Sequence, residues 1–270
     1  MAALKELILT RKSVRTYDGK GLTPEDVQKI EEYMSNIPNP FGVPVTFRLL
    51  EGAKHGLSSP VLVGEKLYAA GIVPKVPKAD EAYGYSFEKL VLYAWSLGIG
   101  TVWIGGTMNR DAFEKAAGIT SEERMPCMTP LGYPATKKSV REGLMRKGVK
   151  ADSRMPMEEI FFDETFGNPI RVSKDDRVYD LLEMVRWAPS AVNKQPWRIV
   201  RKDGIYHFFE KKDKGYVSEA CGDLQRIDVG IGLCHFVSGA EEAGLKPEVF
   251  DADPGISLPE NTDYIVSVRF

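Results

Sequence analysis

The stretch Ala188-Pro189-Ser190-Ala191-Val192-Asn193-Lys194-Gln195-Pro196-Trp197 decides how the rest of this chain is read. Leu181, Leu182, Val185 and Trp187 keep helical spacing up to Ala188, Pro189 ends that helix, and Pro196 opens the extended run Trp197-Arg198-Ile199-Val200. The residues between the prolines are small or polar. A loop fixed at both ends in this way lets backbone and short side chains lie close to a flat ligand without ordering long side chains. On spacing alone the same segment serves equally well as an ordinary helix-to-strand connection, so its meaning depends on what surrounds it.

C-terminal to the loop, strands over Trp197 to Lys202 and Ile205 to Glu210 are joined at the two-residue turn Asp203-Gly204. A long helix from about Leu224 to Ala243 ends on Gly244, and a last strand covers Tyr264 to Phe270. Before the loop lie an extended segment, Phe161 to Ile170, with a turn at Gly167-Asn168-Pro169, and a helix from about Asp175 to Ala188. The earlier chain repeats this order. After a first helix at Ala3 to Leu9, Thr23 caps a second that starts on Pro24 and runs to Met34. Strands follow at Val45 to Glu51 and Lys66 to Val73, then a helix over Phe87 to Leu97 that is apolar on most of its circumference and so central. Ile99 to Gly106 reads as a short buried strand, Asn109 to Ala117 as a helix, and Pro126 to Tyr133 as a further strand. The basic segment Lys137 to Lys150 reads as a solvated surface loop. Helix, strand, strand, helix, strand thus occurs twice, which predicts an α+β chain of two tandem α/β/α units with antiparallel-type sheets, divided as 1–168 and 169–270. One irregular domain is the alternative.

The chain's 270 residues are enough for a substantial core, and 36 Lys and Arg against 38 Asp and Glu leave a net charge of −2. With both signs spread along the sequence there is no field for nucleic acid and no polybasic membrane patch, so a small-molecule ligand is expected. Met1 to Arg15 alternates apolar and charged residues at helical spacing, unlike a signal or spanning segment. Cys127, Cys221 and Cys234 are odd in number without CxxC spacing, which points to a reducing compartment and places the chain in the cytoplasm. His55, His207 and His235 are scattered, so no metal site is expected.

Four stretches now stand out in order: Arg11-Lys12-Ser13-Val14-Arg15, Gly98-Ile99-Gly100-Thr101-Val102-Trp103-Ile104-Gly105-Gly106, Leu131-Gly132-Tyr133-Pro134, and Ala188-Pro189-Ser190 through Trp197. Together they resemble the FMN-dependent nitroreductase family, and within it the TM nitroreductase type, in which one chain holds both halves of the usual homodimer. The resemblance implies a nitroreductase-like pseudo-dimer acting as a monomer, with NADH or NADPH as electron donor and a nitroaromatic, quinone or similar small acceptor. The alternative is a flavin-binding module for storage, sensing or partner docking without efficient turnover.

The chemistry of FMN explains why such residues are needed. Its phosphate dianion and the negative charge of its reduced ring require cations at two places, a flat slot between them, and a donor at N5. Arg11 and Ser13 suit the phosphate, and Lys12 and Arg15 the pyrimidine end, where Arg15 favours the reduced form. The family's pattern implies that the backbone N–H of Gly105 faces N5, with Trp103, Ile104 and Gly106 along the same wall. It also implies that Ser190 and Asn193 lie along the ring while Pro189 and Ala191 shape that wall. Ser153-Arg154-Met155-Pro156 resembles the family's late basic element, making Arg154 a second phosphate ligand; Asp152 departs from the pattern there, with Lys150 as a possible substitute. Read structurally, Arg11 to Arg15 is also a basic helix end and Gly105-Gly106 a strand-end turn.

Two departures shape the expectation further. The first copy has only about Pro74 to Ser86 between its second strand and central helix where the family inserts covering helices, so an open pocket is expected. No GxGxxG follows a strand, in keeping with a nicotinamide and a substrate that take turns on one flavin face. In the second copy, Arg171-Val172-Ser173-Lys174-Asp175 ends in an acid where Arg11 to Arg15 ends in a cation, and the first copy has the proline-broken Ser35 to Pro40 in place of Pro189 to Asn193. One FMN per chain is therefore expected, at the seam between the copies.

Overall fold

The computed structural model describes residues 3–137 and 139–270, without the side chains of residues 140, 141, 145 and 146. Met1, Ala2 and Lys138, which fall within the N-terminal and basic segments read above, lie outside the described residues.

Helix α1 spans Leu4–Thr10 and α2 Pro24–Met34, the latter capped as expected by Thr23, whose Oγ1 accepts from Asp26 N at 3.1 Å. Strand β1 (Thr46–Glu51) leads through the single helical turn α3 (Gly52–His55) to β2 (Leu67–Pro74), and β1 and β2 pair antiparallel. Helix α4 runs over Ala79–Ser96, beginning eight residues before the Phe87 start that spacing predicts. It is followed by α5 (Arg110–Ala117), capped by Asn109, and by β3 (Glu123–Arg124) and β4 (Met128–Leu131), which succeed each other against β2.

The basic segment is not an open loop. It forms α6 (Val140–Gly148), held by the buried Glu142, whose Oε2 accepts from Thr16 Oγ1 at 2.9 Å and Arg15 N at 3.3 Å. A turn of helix, α7 (Met157–Ile160), precedes β5 (Phe161–Asp163), and α8 (Arg177–Arg186) stops where Pro189 required.

Strands β6 (Trp197–Lys202) and β7 (Ile205–Lys211) form the expected hairpin on Asp203-Gly204, both with positive φ. A ribbon of β8 (Val217–Ser218) and β9 (Gly222–Asp223) precedes the long helix α9 (Leu224–Glu242), capped by Asp223 and followed by Gly244 at φ 76°. Strands β10 (Glu248–Phe250) and β11 (Thr262–Arg269) complete a sheet of order β10-β11-β7-β6-β5.

The fold is α+β, with one sheet from residues before 132 and another from residues after 160. Pairing is antiparallel except at the edge where β5 joins β6 in parallel. Strand β5 lies on the N-terminal side of the boundary that sequence places at 168, yet hydrogen-bonds in the C-terminal sheet.

Helices α4 and α9 fill the space between the sheets. Nearly every residue from Ala79 to Ala94 and from Gln225 to Ala240 is buried, and the largest apolar cluster joins both helices to α1, α8, β6 and β7. At about 1.5–3 kcal/mol for each large apolar side chain removed from water, residues such as Tyr83, Phe87, Trp197, Phe208 and Phe236 make this two-helix layer the main source of stability. No helix among the described residues is long and apolar enough to cross a membrane.

Candidate active site

The segment expected as a strand from Ile99 to Gly106 makes only isolated bridges, Thr101 to Ser13, Gly100 to Gly132 and Ile104 to Met128. It threads between β4 and the Arg11 to Arg15 loop, and two glycines make that threading possible. A Cβ on Gly100 would lie 2.8 Å from Val14 Cβ, and one on Gly132 would lie 2.8 Å from the Tyr17 ring. Val14 and Tyr17 fill those places, and the Tyr17 hydroxyl donates to Val14 O at 2.7 Å. With Val14 locked into the core, its neighbours on either side, Ser13 and Arg15, border a cavity of about 450 Å³.

The same cavity is bordered by Arg11, Lys12, Trp103, Ile104, Gly105, Gly106, Arg154, Pro189, Ser190 and Asn193. Of the residues singled out by sequence, Ala191 and the substitute candidate Lys150 are not on the lining. The backbone N–H of Ala191 is instead donated to Asp228 Oδ2 at 2.9 Å. The loop that carries it is an irregular turn with Val192, Asn193 and Gln195 all at positive φ, a costly conformation for side-chain-bearing residues. It persists because its bonds overdetermine it. Ser190 Oγ accepts from Gln195 N at 2.9 Å, the buried Gln195 accepts from Met155 N at 2.9 Å, and Asn193 Nδ2 donates to Lys150 O at 2.9 Å and Ser153 O at 3.1 Å.

These bonds draw the 149–154 segment over the cavity, so Val149, Ala151, Asp152 and Arg154 form part of its wall. This side of the cavity is therefore walled by a segment that follows α6. Arg154 lies over the Trp187 ring at 4.7 Å and donates to the carbonyls of Ala151 and Ser153.

On the other wall, Trp103 Nε1 donates to Glu88 Oε2 at 3.1 Å. Glu88 is fully buried on α4, and its Oε1 lies 3.0 Å from His235 Nε2 of α9 and 3.9 Å from Arg11 Nε. The other ring nitrogen of His235 faces Met184 O at 2.8 Å, an acceptor only, so Nδ1 carries a proton. One buried carboxyl thus ties two lining side chains, Arg11 and Trp103, to both central helices. Gly105 O accepts from Arg110 Nη2 at 2.6 Å, and a Cβ on Gly105 would press on Cys127 Sγ at 3.2 Å. A Cβ on Gly106 would meet no atom within 4 Å, so that residue faces open space.

Four cations, Arg11, Lys12, Arg15 and Arg154, thus face one cavity that also has a bare glycine wall, and it is drawn from both ends of the chain. A model of the family described as "Putative TM nitroreductase" matches residues 3–240. The chain belongs to this nitroreductase family. Among solved structures, one from Thermotoga maritima described as a putative nitroreductase has a TM-score of 0.60 at 20% identity, covering 98% of this chain and 92% of that one. That likeness shows the nitroreductase fold. An FMN-dependent nitroreductase from Clostridium difficile is 18% identical over 52% of this chain and 94% of its own, with a TM-score of 0.42. A NADH dehydrogenase/NAD(P)H nitroreductase from Bacteroides thetaiotaomicron, also described as putative, is 23% identical over 52% of this chain and 90% of its own, with a TM-score of 0.43. Curated protein sequences provide no match.

In this nitroreductase-family chain the lining also includes residues that sequence reading passed over. Leu224, Ile227, Asp228 and Ile231 come from one face of α9, and Cys127 from the turn before β4. Their i, i+3, i+4, i+7 spacing is a helical face, and the one acid in that apolar stripe was the signal available. Burial pushes the Cys127 thiol well up, so it stays protonated and unreactive.

Proposed function

We propose that the chain is an FMN-dependent oxidoreductase of the nitroreductase kind, taking electrons from NADH or NADPH and reducing a nitroaromatic, quinone or similar small acceptor. The observation that carries this reading is the convergence of Arg11, Lys12, Ser13, Arg15 and Arg154 with the Gly105-Gly106 wall on one cavity. Its size of about 450 Å³ is that of a small-molecule site, and the cation set suits a ligand with a phosphate and a ring that gains negative charge.

FMN held here would supply the chemistry of hydride transfer between a nicotinamide and the acceptor. Arg11, Ser13 and Arg154 hold its phosphate through guanidinium forks and a hydroxyl. Lys12 and Arg15 stabilise charge at the pyrimidine end, and the Gly105 N–H is the donor offered to N5. Trp103, Ile104 and Gly106 line one side, and Pro189, Ser190 and Asn193, with Ala191 behind them, the other. Glu88 positions Arg11 and Trp103 for these roles. With no separate nicotinamide pocket called for, donor and acceptor take turns in the same space. One chain acts as a pseudo-dimer of the 1–168 and 169–270 units, and the three free cysteines suit a cytoplasmic setting.

Absorbance of the purified protein, followed by stopped-flow mixing with NADH or NADPH and then with a quinone, tests the reading. Flavin bands that bleach and recover support it. Flavin bands that do not bleach point to a binding module, and a protein that takes up no FMN refutes both.

A further inference from the structure

The floor of the cavity contains a group that the proposed reaction has not used. Leu224, Ile227 and Ile231 make an apolar strip along α9, and Asp228 interrupts it with a carboxyl that is only 4% exposed. Its Oδ2 accepts the Ala191 N–H at 2.9 Å, which fixes the carboxyl's orientation. Among the described residues no other hydrogen bond and no ion pair to a cation engages it. An isolated carboxylate in such a place is costly, and the group avoids that cost by keeping its proton.

Two nearby acids act in the same direction. Burial raises the Asp228 pKa well above the usual carboxylate range, Asp223 at the start of α9 and Glu210 on β7 add to it, and the Ala191 N–H opposes. Cys127, on the neighbouring wall, is a neutral thiol. A neutral carboxyl whose one oxygen is engaged as an acceptor presents its O–H on the other.

We propose that Asp228 is the proton donor for acceptor reduction in this cavity. The inference rests on the reading of the chain as a flavin-dependent oxidoreductase. Two-electron reduction of a quinone adds a hydride, with its electron pair, at one atom and a proton at oxygen. The hydride comes from the flavin reduced by NAD(P)H. The proton comes from Asp228: its O–H bond breaks, the acceptor's O–H bond forms, and the carboxylate keeps the electron pair until water returns a proton. A positioned acid of this kind contributes roughly 10²–10⁴ in rate.

Asp228→Asn keeps the shape and the acceptor for Ala191 N–H but has no proton to give. In the full-length chain at neutral pH, the infrared carbonyl absorption of protonated carboxyls should lose, in D228N, the component that Asp228 contributes, leaving the share from Glu210. In the FMN-loaded enzyme, reduction by NAD(P)H should stay within a few-fold of the parent while reoxidation by quinone slows by roughly a hundredfold. Asp228→Glu, which retains an acid, should shift the band rather than remove it and recover part of the rate. An identical band in parent and D228N, or unchanged reoxidation, overturns the proposal. Should D228N fail to fold, a band unmoved in D228E overturns it equally. A chain that takes up no FMN refutes the functional reading and the donor role with it, while the band still reports whether Asp228 is protonated, so the two failures are told apart.

Discussion

Gly84 and Gly230 hold the crossing of α4 and α9 through one contact made twice: a Cβ on Gly84 would run into the carbonyl oxygen of Ile227, and a Cβ on Gly230 into that of Glu81. Each glycine sits three residues beyond the residue whose carbonyl meets the opposite glycine, as in the interface of a symmetric dimer. Because the obstacle is backbone, it cannot rotate away. Gly84→Ala and Gly230→Ala should each destabilise the fold by about 1–3 kcal/mol and lower Tm by several degrees. Thermal denaturation of both variants checks this, and equal costs are expected from the equivalence of the two contacts.

Arg11→Ala should remove a charge-assisted contact to the FMN phosphate of about 1.5–3 kcal/mol, weakening FMN by roughly ten- to over a hundredfold. Titrating FMN into the variant protein measures it. An unchanged Kd places Arg11 in a purely structural role beside Glu88.

Arg15→Ala should act on redox balance more than on affinity, since a cation at the pyrimidine end favours the reduced ring. A lower midpoint potential with a milder loss of FMN is expected. Spectroelectrochemistry decides it, and a potential equal to the parent's removes Arg15 from that position.

One FMN per chain, bound without a second chain, is the expected stoichiometry. The register that matches Gly84 with Gly230 also matches the cavity floor on α9, residues 224, 227, 228 and 231, with Lys78, Glu81, Ala82 and Tyr85 at the start of α4. There Lys78 Nζ donates to Ile265 O at 2.6 Å and Asp251 Oδ1 at 2.9 Å, and Glu81 lies 4.0 Å from Arg226. At the equivalent place the side chains of Lys78 and Glu81 are engaged by other parts of the chain. FMN released per mole of protein, with the mass in solution, measures the ratio; two per chain, or binding only by a dimer, contradicts it.

Glu210 should make stability fall as pH rises. It is fully buried on β7, and burial together with Asp223 pushes its pKa up to about 7 against the opposing pull of Arg226 at 3.3 Å. A carboxyl whose folded pKa lies above its unfolded value near 4.5 is bound to a proton more in the folded state, so its contribution is full below about pH 4.5 and is lost as pH rises towards 7. Glu210→Gln should flatten the decline of Tm across that window and be less destabilising at pH 8 than at pH 4. A Tm–pH profile parallel to the parent's shows that Glu210 does not titrate there.

The sequence by itself determined the elements whose causes are local. Thr23 and Pro24 start α2, Asn109 starts α5, Pro189 stops α8, and Asp203-Gly204 turns the β6–β7 hairpin, because each acts through its own backbone dihedrals or a bond to a residue a few positions away. Short motifs with recognisable chemistry, Arg11 to Arg15 and Gly105-Gly106 among them, were legible for the same reason.

Whatever depends on a distant partner had to wait for the tertiary structure. Gly84 weakens the helical pattern of α4 and hides its first two turns, and only the carbonyl of Ile227 across the crossing explains it. Residues 99 to 106 read as a short buried strand, but the Val14 side chain fills the place beside Gly100, and the segment makes only isolated bridges. The basic charges of Lys137 to Lys150 read as solvated, while the buried Glu142, bonded to Thr16, fixes a helix whose continuation lines the cavity. Asp228 was one acid in an apolar helix until folding set it under Ala191 and on the cavity floor. Burial by residues remote in sequence raises its pKa, and local pattern does not encode that.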